Sequence, residues 1–137
     1  MSSAALLDSM RTRLLTVGTL PAERRWQNVA GETPNPLPYV VDTLLSGRHE
    51  AAQLGPALGL TKASYLYQIT LVFQDGIGIH DVLAVADAIA TAFRSSELNV
   101  TGLNPAQVRS VSIGPFLPDP VEQTLRVPVS ITVDWYF

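Results

Sequence analysis

The sequence predicts an α+β fold, with one antiparallel or mixed β-sheet and two helices packed on one face. Its closing stretch, "TLRVPVSITVDWYF", is the first sign. Leu125, Val127, Val129, Ile131, Val133, Trp135 and Phe137 fall on one side of a strand, while Arg126, Pro128, Ser130, Thr132, Asp134 and Tyr136 fall on the other. A second strand reads from "YLYQITLVFQ" (65–74), where Tyr65, Tyr67, Ile69, Leu71 and Phe73 share a face. Directly after it, residues 79–93 place Val82, Val85, Ala86, Ile89 and Phe93 on one helical stripe, with Ala84, Ala88 and Ala92 adding propensity. The resulting order, α–β–β–loop–β–α–β–β, lacks the regular rhythm of a parallel sheet.

The remaining elements follow from local pattern. Leu6, Met10, Leu14 and Val17 recur at helical spacing over 3–17, with Arg11 and Arg13 opposite and Gly18 placed as a C-cap. Trp26, Asn28 and Ala30 alternate with Gln27 and Val29 as a short first strand. The three prolines of "TPNPLP" exclude a helix or a central strand. "YVVDTLL" (39–45) is a second short strand with broken alternation, and "QVRSVSIG" (107–114) a later one. "PFLPDP" reads as a connecting loop. Pro128 cannot donate to a ladder, so the last strand is expected to be partly an edge, or bulged there.

One domain spans 1–137, with a flexible loop at about 46–64, where three glycines and a proline leave no period. A chain of this length buries roughly 68% of its unfolded surface, enough for a core without staples. Cysteine is absent, which excludes disulfides and thiolate metal sites, and His49 and His80 are too few for a histidine cluster. Charged residues make up 15% of the chain, against about 25% in ordinary globular proteins. Either a self-association surface or a large core accounts for this. Residues 1–25 hold four arginines against Asp8 and Glu23, far below a nucleic-acid footprint. The start "MSSAALLDSMRTRLL" has no basic leader, and no apolar run reaches the 18 or more residues of a membrane span, so synthesis in the cytoplasm is expected.

Motifs for catalysis are thin. "DGIGIHD" sets Gly76 and Gly78 between a strand and a helix, but lacks the third glycine of a dinucleotide fingerprint and the Lys-Ser/Thr of a P-loop. A plain turn is the simpler reading. His80 and Asp81 are adjacent, so a helix points them about 100° apart. No nucleophile elbow is present. No catalytic residue, metal site or cofactor is expected. A competing reading, a small enzyme or ligand-binding domain, would put its pocket around "DGIGIHD" and Tyr65/Tyr67. Among the aromatics, Trp26, beside Arg24 and Arg25, and Tyr136, on the polar side of the last strand, are of the amphipathic kind found at protein contacts, although a core or rim position is the default reading for them.

Together these segments resemble the tail-terminator (tail-completion) proteins of long-tailed bacteriophages. The resemblance rests on an entry of the kind "N(V)…TP…PYV", on "YQITLVF" feeding "GIGIHDVLAVADAIATAF", and on the closing "SIGPFLPDPVEQTLRVPVSITVDWYF", in that order. It runs from about Leu6 to Phe137. It implies an α+β subunit that assembles as a homohexameric ring, caps the tail tube, stops its polymerisation and offers a joining surface to the head's connector. The implied partners are the subunit itself, the tube protein and the head completion or connector protein, with genomic DNA passing through the lumen unspecifically and no membrane involved. Other neck or minor tail proteins, such as a head-closure protein or a tube subunit, share enough pattern to stay open. The expected location is the virion, after assembly in the host cytoplasm. Candidate interface residues are Trp26, Arg24, Arg25, Arg48, His49, Lys62 and Tyr136.

Overall fold

The computed structural model describes residues 3–21, 23–26, 37–51, 61–76, 78–94, 97–98, 100, 105–120 and 123–136. Within them the chain forms α1 (Ser3–Leu14), β1 (Glu23–Arg25), β2 (Tyr39–Ala51), β3 (Thr61–Gln74), α2 (His80–Phe93), β4 (Glu97–Leu98), β5 (Ala106–Ile113), β6 (Leu117–Asp119) and β7 (Thr124–Tyr136). The strands make one sheet in the order β1-β2-β3-β7-β5-β4, with β6 also pairing β7. All neighbours are antiparallel except β1 and β2, so the sheet is mixed. The α+β expectation of one sheet with two helices holds.

Alternation decides what the sheet buries. Tyr65, Tyr67, Ile69 and Leu71 of β3 are buried, as are Leu125, Val127, Val129, Ile131, Val133 and Trp135 of β7. The helices cover that side. Leu6, Met10 and Leu14 of α1, and Val82, Ala86, Ile89 and Phe93 of α2, are fully buried against it. At about 25 cal/mol per Å² of apolar surface removed from water, this layer supplies most of the stabilisation. The other side has no helix among the described residues and carries half-exposed Thr43, Leu66, Gln68, Thr70, Ser130 and Thr132.

Several boundaries differ from expectation. The first helix stops at Leu14 rather than 17, because Thr16 and Val17 bond three residues back, to the carbonyls of Arg13 and Leu14, and Thr16 Oγ1 also donates to Arg13 O at 2.6 Å. Gly18 therefore lies beyond the helix end and does not cap it. β1 forms at 23–25, ahead of the expected first strand, most of which (27–30) lies outside the described residues. β2 runs to Ala51 and β3 starts at Thr61, so 46–51 and 61–64 of the expected loop are a long hairpin. Residues 52–60, with the rest of that loop, lie outside the described residues. Gly47 and Arg48 of β2 together oppose Ser64 alone, a bulge that absorbs the lost period. The "PFLPDP" loop contains β6.

The last strand is not an edge. β7 sits between β3 and β5, and its neighbour on one side changes from β5 (to Val129) to β6 (from Arg126). Pro128 occupies that handover. An antiparallel residue aims its N–H and C=O at the same neighbour, and Pro128 O accepts Gly114 N–H at 2.7 Å. The donor that proline lacks thus faces the gap between β5 and β6, and the β3 ladder loses nothing.

Candidate functional site

The expected interface residues separate into two groups. Arg24 is exposed on β1, and Arg25 pairs with Val41 along the backbone. Trp26 follows, half-buried against the core. At the other end of β2, Arg48 lies in the bulge, and His49 and Glu50 pair with Ala63 and Lys62. Lys62 pairs in turn with Tyr136 of β7. The side chains of Arg25, Arg48, His49 and Tyr136 lie outside the description. Roughly 30 Å of strand separates the two groups at the ordinary rise per residue, so they do not form one patch.

At the Tyr136 end of the face away from the helices a charged cluster forms. Lys62 Nζ and Arg109 Nη1 each lie 3.7 Å from Asp134 Oδ2, and Ser64 Oγ donates to Asp134 Oδ1 at 2.9 Å. Asp134 is the best buried member, while Arg109 is the residue by which β5 bulges between Val108 and Ser110. Nearby, Gln107 Nε2 donates to Glu97 Oε2 at 3.1 Å, joining β5 to β4.

A buried polar network was missed in the sequence. Asp42 on β2 is 0% exposed and points to the helix side. Arg11 of α1 donates to it through Nε (2.6 Å to Oδ2) and Nη2 (3.1 Å to Oδ1), and Tyr67 Oη donates to Oδ2 at 2.9 Å. The guanidinium also lies 4.8 Å from the centre of the Trp26 ring, within cation–π range. The bond to Asp42 holds the Arg11 pKa above its ordinary value. Burial, then the charge of Asp42, pushes the Tyr67 hydroxyl well above its usual range. The available signal was a lone Asp inside the apolar run "YVVDTLL", where a charge must find a partner. Arg13, also read as solvent-facing, donates to Ala92 O at 3.0 Å and Glu97 O at 3.2 Å, tying α1 to the carbonyl end of α2.

The "DGIGIHD" segment is a turn with Gly76 and Gly78 at φ 90° and 86°, conformations that favour glycine. Ile79 precedes α2 without a side-chain cap. His80 Nδ1 is 3.5 Å from Asp81 Oδ1, but both side chains are open to solvent, at 98% and 81% exposure. Tyr65 and Tyr67, the other half of the competing pocket, are in the core. A shallow groove of about 340 Å³ lies elsewhere, lined by Asp8, Ser9, Thr12, Arg13, Thr16 and Leu98. Among the described residues, no three His, Asp or Glu side chains gather as metal ligands, and no helix is long and apolar enough to cross a membrane.

The sheet ends on a short strand at each side. On the outer side of β2, β1 pairs with Tyr39–Val41. On the outer side of β5, β4 covers only Ala106 and Gln107. Among the described residues no other strand pairs there. A row of backbone donors and acceptors such as that of β5 beyond Gln107 is a template for further pairing.

Comparison with known proteins sharpens the picture. A family model described as phage tail terminator protein matches residues 4–135. One solved structure, of a protein without a functional name, superposes at a TM-score of 0.70 with 20% identity, covering 98% of this chain and 95% of the other. A chain from the virion of a native gene transfer agent (GTA) particle superposes at 0.65 with 14% identity, covering 97% of this chain and 98% of that one. At these identities the superpositions speak for the fold. No curated protein matches.

Proposed function

Because the chain belongs to the phage tail terminator family, and so is a structural protein of a phage-type tail, we propose that it closes the finished tail tube as a ring of six copies. The ring halts tube polymerisation and gives the head's connector a surface to join, with DNA passing through its lumen. The subunit works through contacts rather than catalysis.

The observation that carries this reading is the family match over residues 4–135, and it is supported by the outer margin of β5 beyond Gln107, where no other strand pairs among the described residues. The β1/β2 flank and the β5/β4 flank lie at opposite ends of the strand order, so one copy has two different sides. Different surfaces give head-to-tail contacts, and these close into a ring when the rotation between copies divides a full turn. The low charge fraction supports the same reading, since flanks hidden by neighbours need little charge. The last strand was expected to be partly an edge; β7 is internal, so the contacts of this reading fall to the outer strands instead.

Two measurements test the proposal. Native mass at rising concentration, or in the presence of tube ends, is expected to reach six times 14.8 kDa. Tails assembled without the protein are expected to be overlong and headless by negative-stain microscopy. Tails of normal length, joined to heads, would overturn the assignment.

A further inference from the structure

Beyond β7, one flank of the sheet is a single line of chain. β5 runs antiparallel to β7 as far as Ile113, and β6 takes over from Leu117. β4 pairs with the first two residues of β5, Ala106 and Gln107. After the irregularity between Val108 and Ser110 the register with β7 is unbroken, from Ser110 opposite Thr132 to Ile113 opposite Val129.

That register fixes where each main-chain group points. Residues of an antiparallel strand aim N–H and C=O together, alternately at one neighbour and the other. Gly114 N–H donates to Pro128 O at 2.7 Å, so Gly114 faces β7. Counting back, Ser112 and Ser110 also face β7, while Ile113 and Val111 aim their N–H and C=O outward. No strand meets them among the described residues. Their side chains are half-buried on the helix side, and those of Ser110 and Ser112 are exposed on the other.

Strand edges that face water are usually guarded by a charge or a proline. From Ser110 to Pro118, "SVSIGPFLP", no residue is charged. Pro115 and Pro118 stand only towards its far end, so Val111 and Ile113 are the unguarded part. An uncharged edge matches a partner equally poor in charge, and this chain, with 15% charged residues, is one. The edge also lies at one end of the strand order, on a flank, where a ring places the neighbouring copy.

We infer that main chain of the next copy in the ring pairs with β5 at Val111 and Ile113, continuing the sheet from subunit to subunit. The next copy brings its opposite flank, where the strand order ends in β1. β1 is parallel to β2 and hence antiparallel to β5, so rotation about an axis near the strand direction keeps the alternation. Strand tilt supplies the stagger between β1, level with Tyr39–Val41, and Val111. This pairing presupposes the ring and adds its main-chain contact.

Hydrogen exchange, read residue by residue, tests it on the unaltered chain. In the free subunit the Ser110 and Ser112 amides are expected to exchange slowly, and those of Val111 and Ile113 about tenfold faster or more. In rings of six times 14.8 kDa all four are expected to be slow. Val111→Pro removes an outward donor and no bond to β7, so it is expected to stay folded by circular dichroism and form no ring. Should that variant fail to fold, exchange in the native chain decides. Rings whose Val111 and Ile113 amides exchange as fast as in the free subunit overturn the pairing and leave the ring standing. A folded Val111→Pro that still forms rings does the same. So do amides already slow in the monomer, or protection that arrives only when tube is added to a finished ring. A monomer at every concentration, with tube ends present, overturns both.

Discussion

The Arg11 guanidinium grips the Asp42 carboxylate with two hydrogen bonds, at 2.6 and 3.1 Å, across 31 positions of chain. It is the polar bolt between α1 and the sheet. Asp42 is fully buried, so removing its cation strands a charge in a medium that solvates it poorly. Arg11→Met is expected to cost about 3–5 kcal/mol in urea unfolding, while the pair Arg11→Met with Asp42→Leu recovers much of that loss. A single variant as stable as the native chain would show that the ion pair is not part of the folded state.

The same network predicts alkaline instability. The Tyr67 hydroxyl, buried and facing a carboxylate, has its pKa raised from its ordinary value near 10. Below about 10 it is protonated in folded and unfolded chains alike, and its contribution is intact. Above that, the unfolded chain releases the proton and the folded chain does not, so stability falls by about 1.4 kcal/mol per pH unit. Tyr67→Phe is expected to be less stable at neutral pH, because Asp42 loses a donor, yet to show a flatter decline between pH 10 and 11. Parallel urea midpoints for the two proteins check the slope.

Much of the fold was legible because burial writes itself as alternation. Tyr65 to Phe73 and Leu125 to Trp135 read correctly, and so did the stripe from Val82 to Phe93. What local pattern cannot carry is partnership over distance. Arg11 looked solvent-facing because its acceptor lies on β2, and Asp42 looked like a flaw in a strand because its donors lie on α1 and β3. Pro128 implied an edge, since the handover from β5 to β6 that shelters it depends on topology. The hairpin beyond Ser46 was hidden by one bulge, which shifts the period by a residue. Of the candidate interface residues, Trp26 is half occupied by the core and by Arg11, so Trp26→Glu reads folding as well as assembly.

His80 separates the assembly reading from the ligand-binding one. Its side chain is 98% exposed and lies 3.5 Å from Asp81 Oδ1. His80→Ala is expected to leave the thermal midpoint, ring formation and tail length unchanged. A loss of tail joining with folding intact would instead place a working site at the start of α2.

The close approach of β5's end to β7 supplies the most local prediction. Gly114 N donates to Pro128 O at 2.7 Å, and a Cβ added at Gly114 would lie 2.5 Å from the Pro128 Cγ. A pyrrolidine ring inside a strand has little room to swing away, so the backbone must shift and weaken the bond that covers Pro128's carbonyl. Gly114→Ala is therefore expected to cost about 1–3 kcal/mol by thermal or urea unfolding. Adding Pro128→Ala removes the ring, and should return most of that loss even though Pro128→Ala alone gains nothing. If the two substitutions simply add, the contact is not the reason glycine stands at 114.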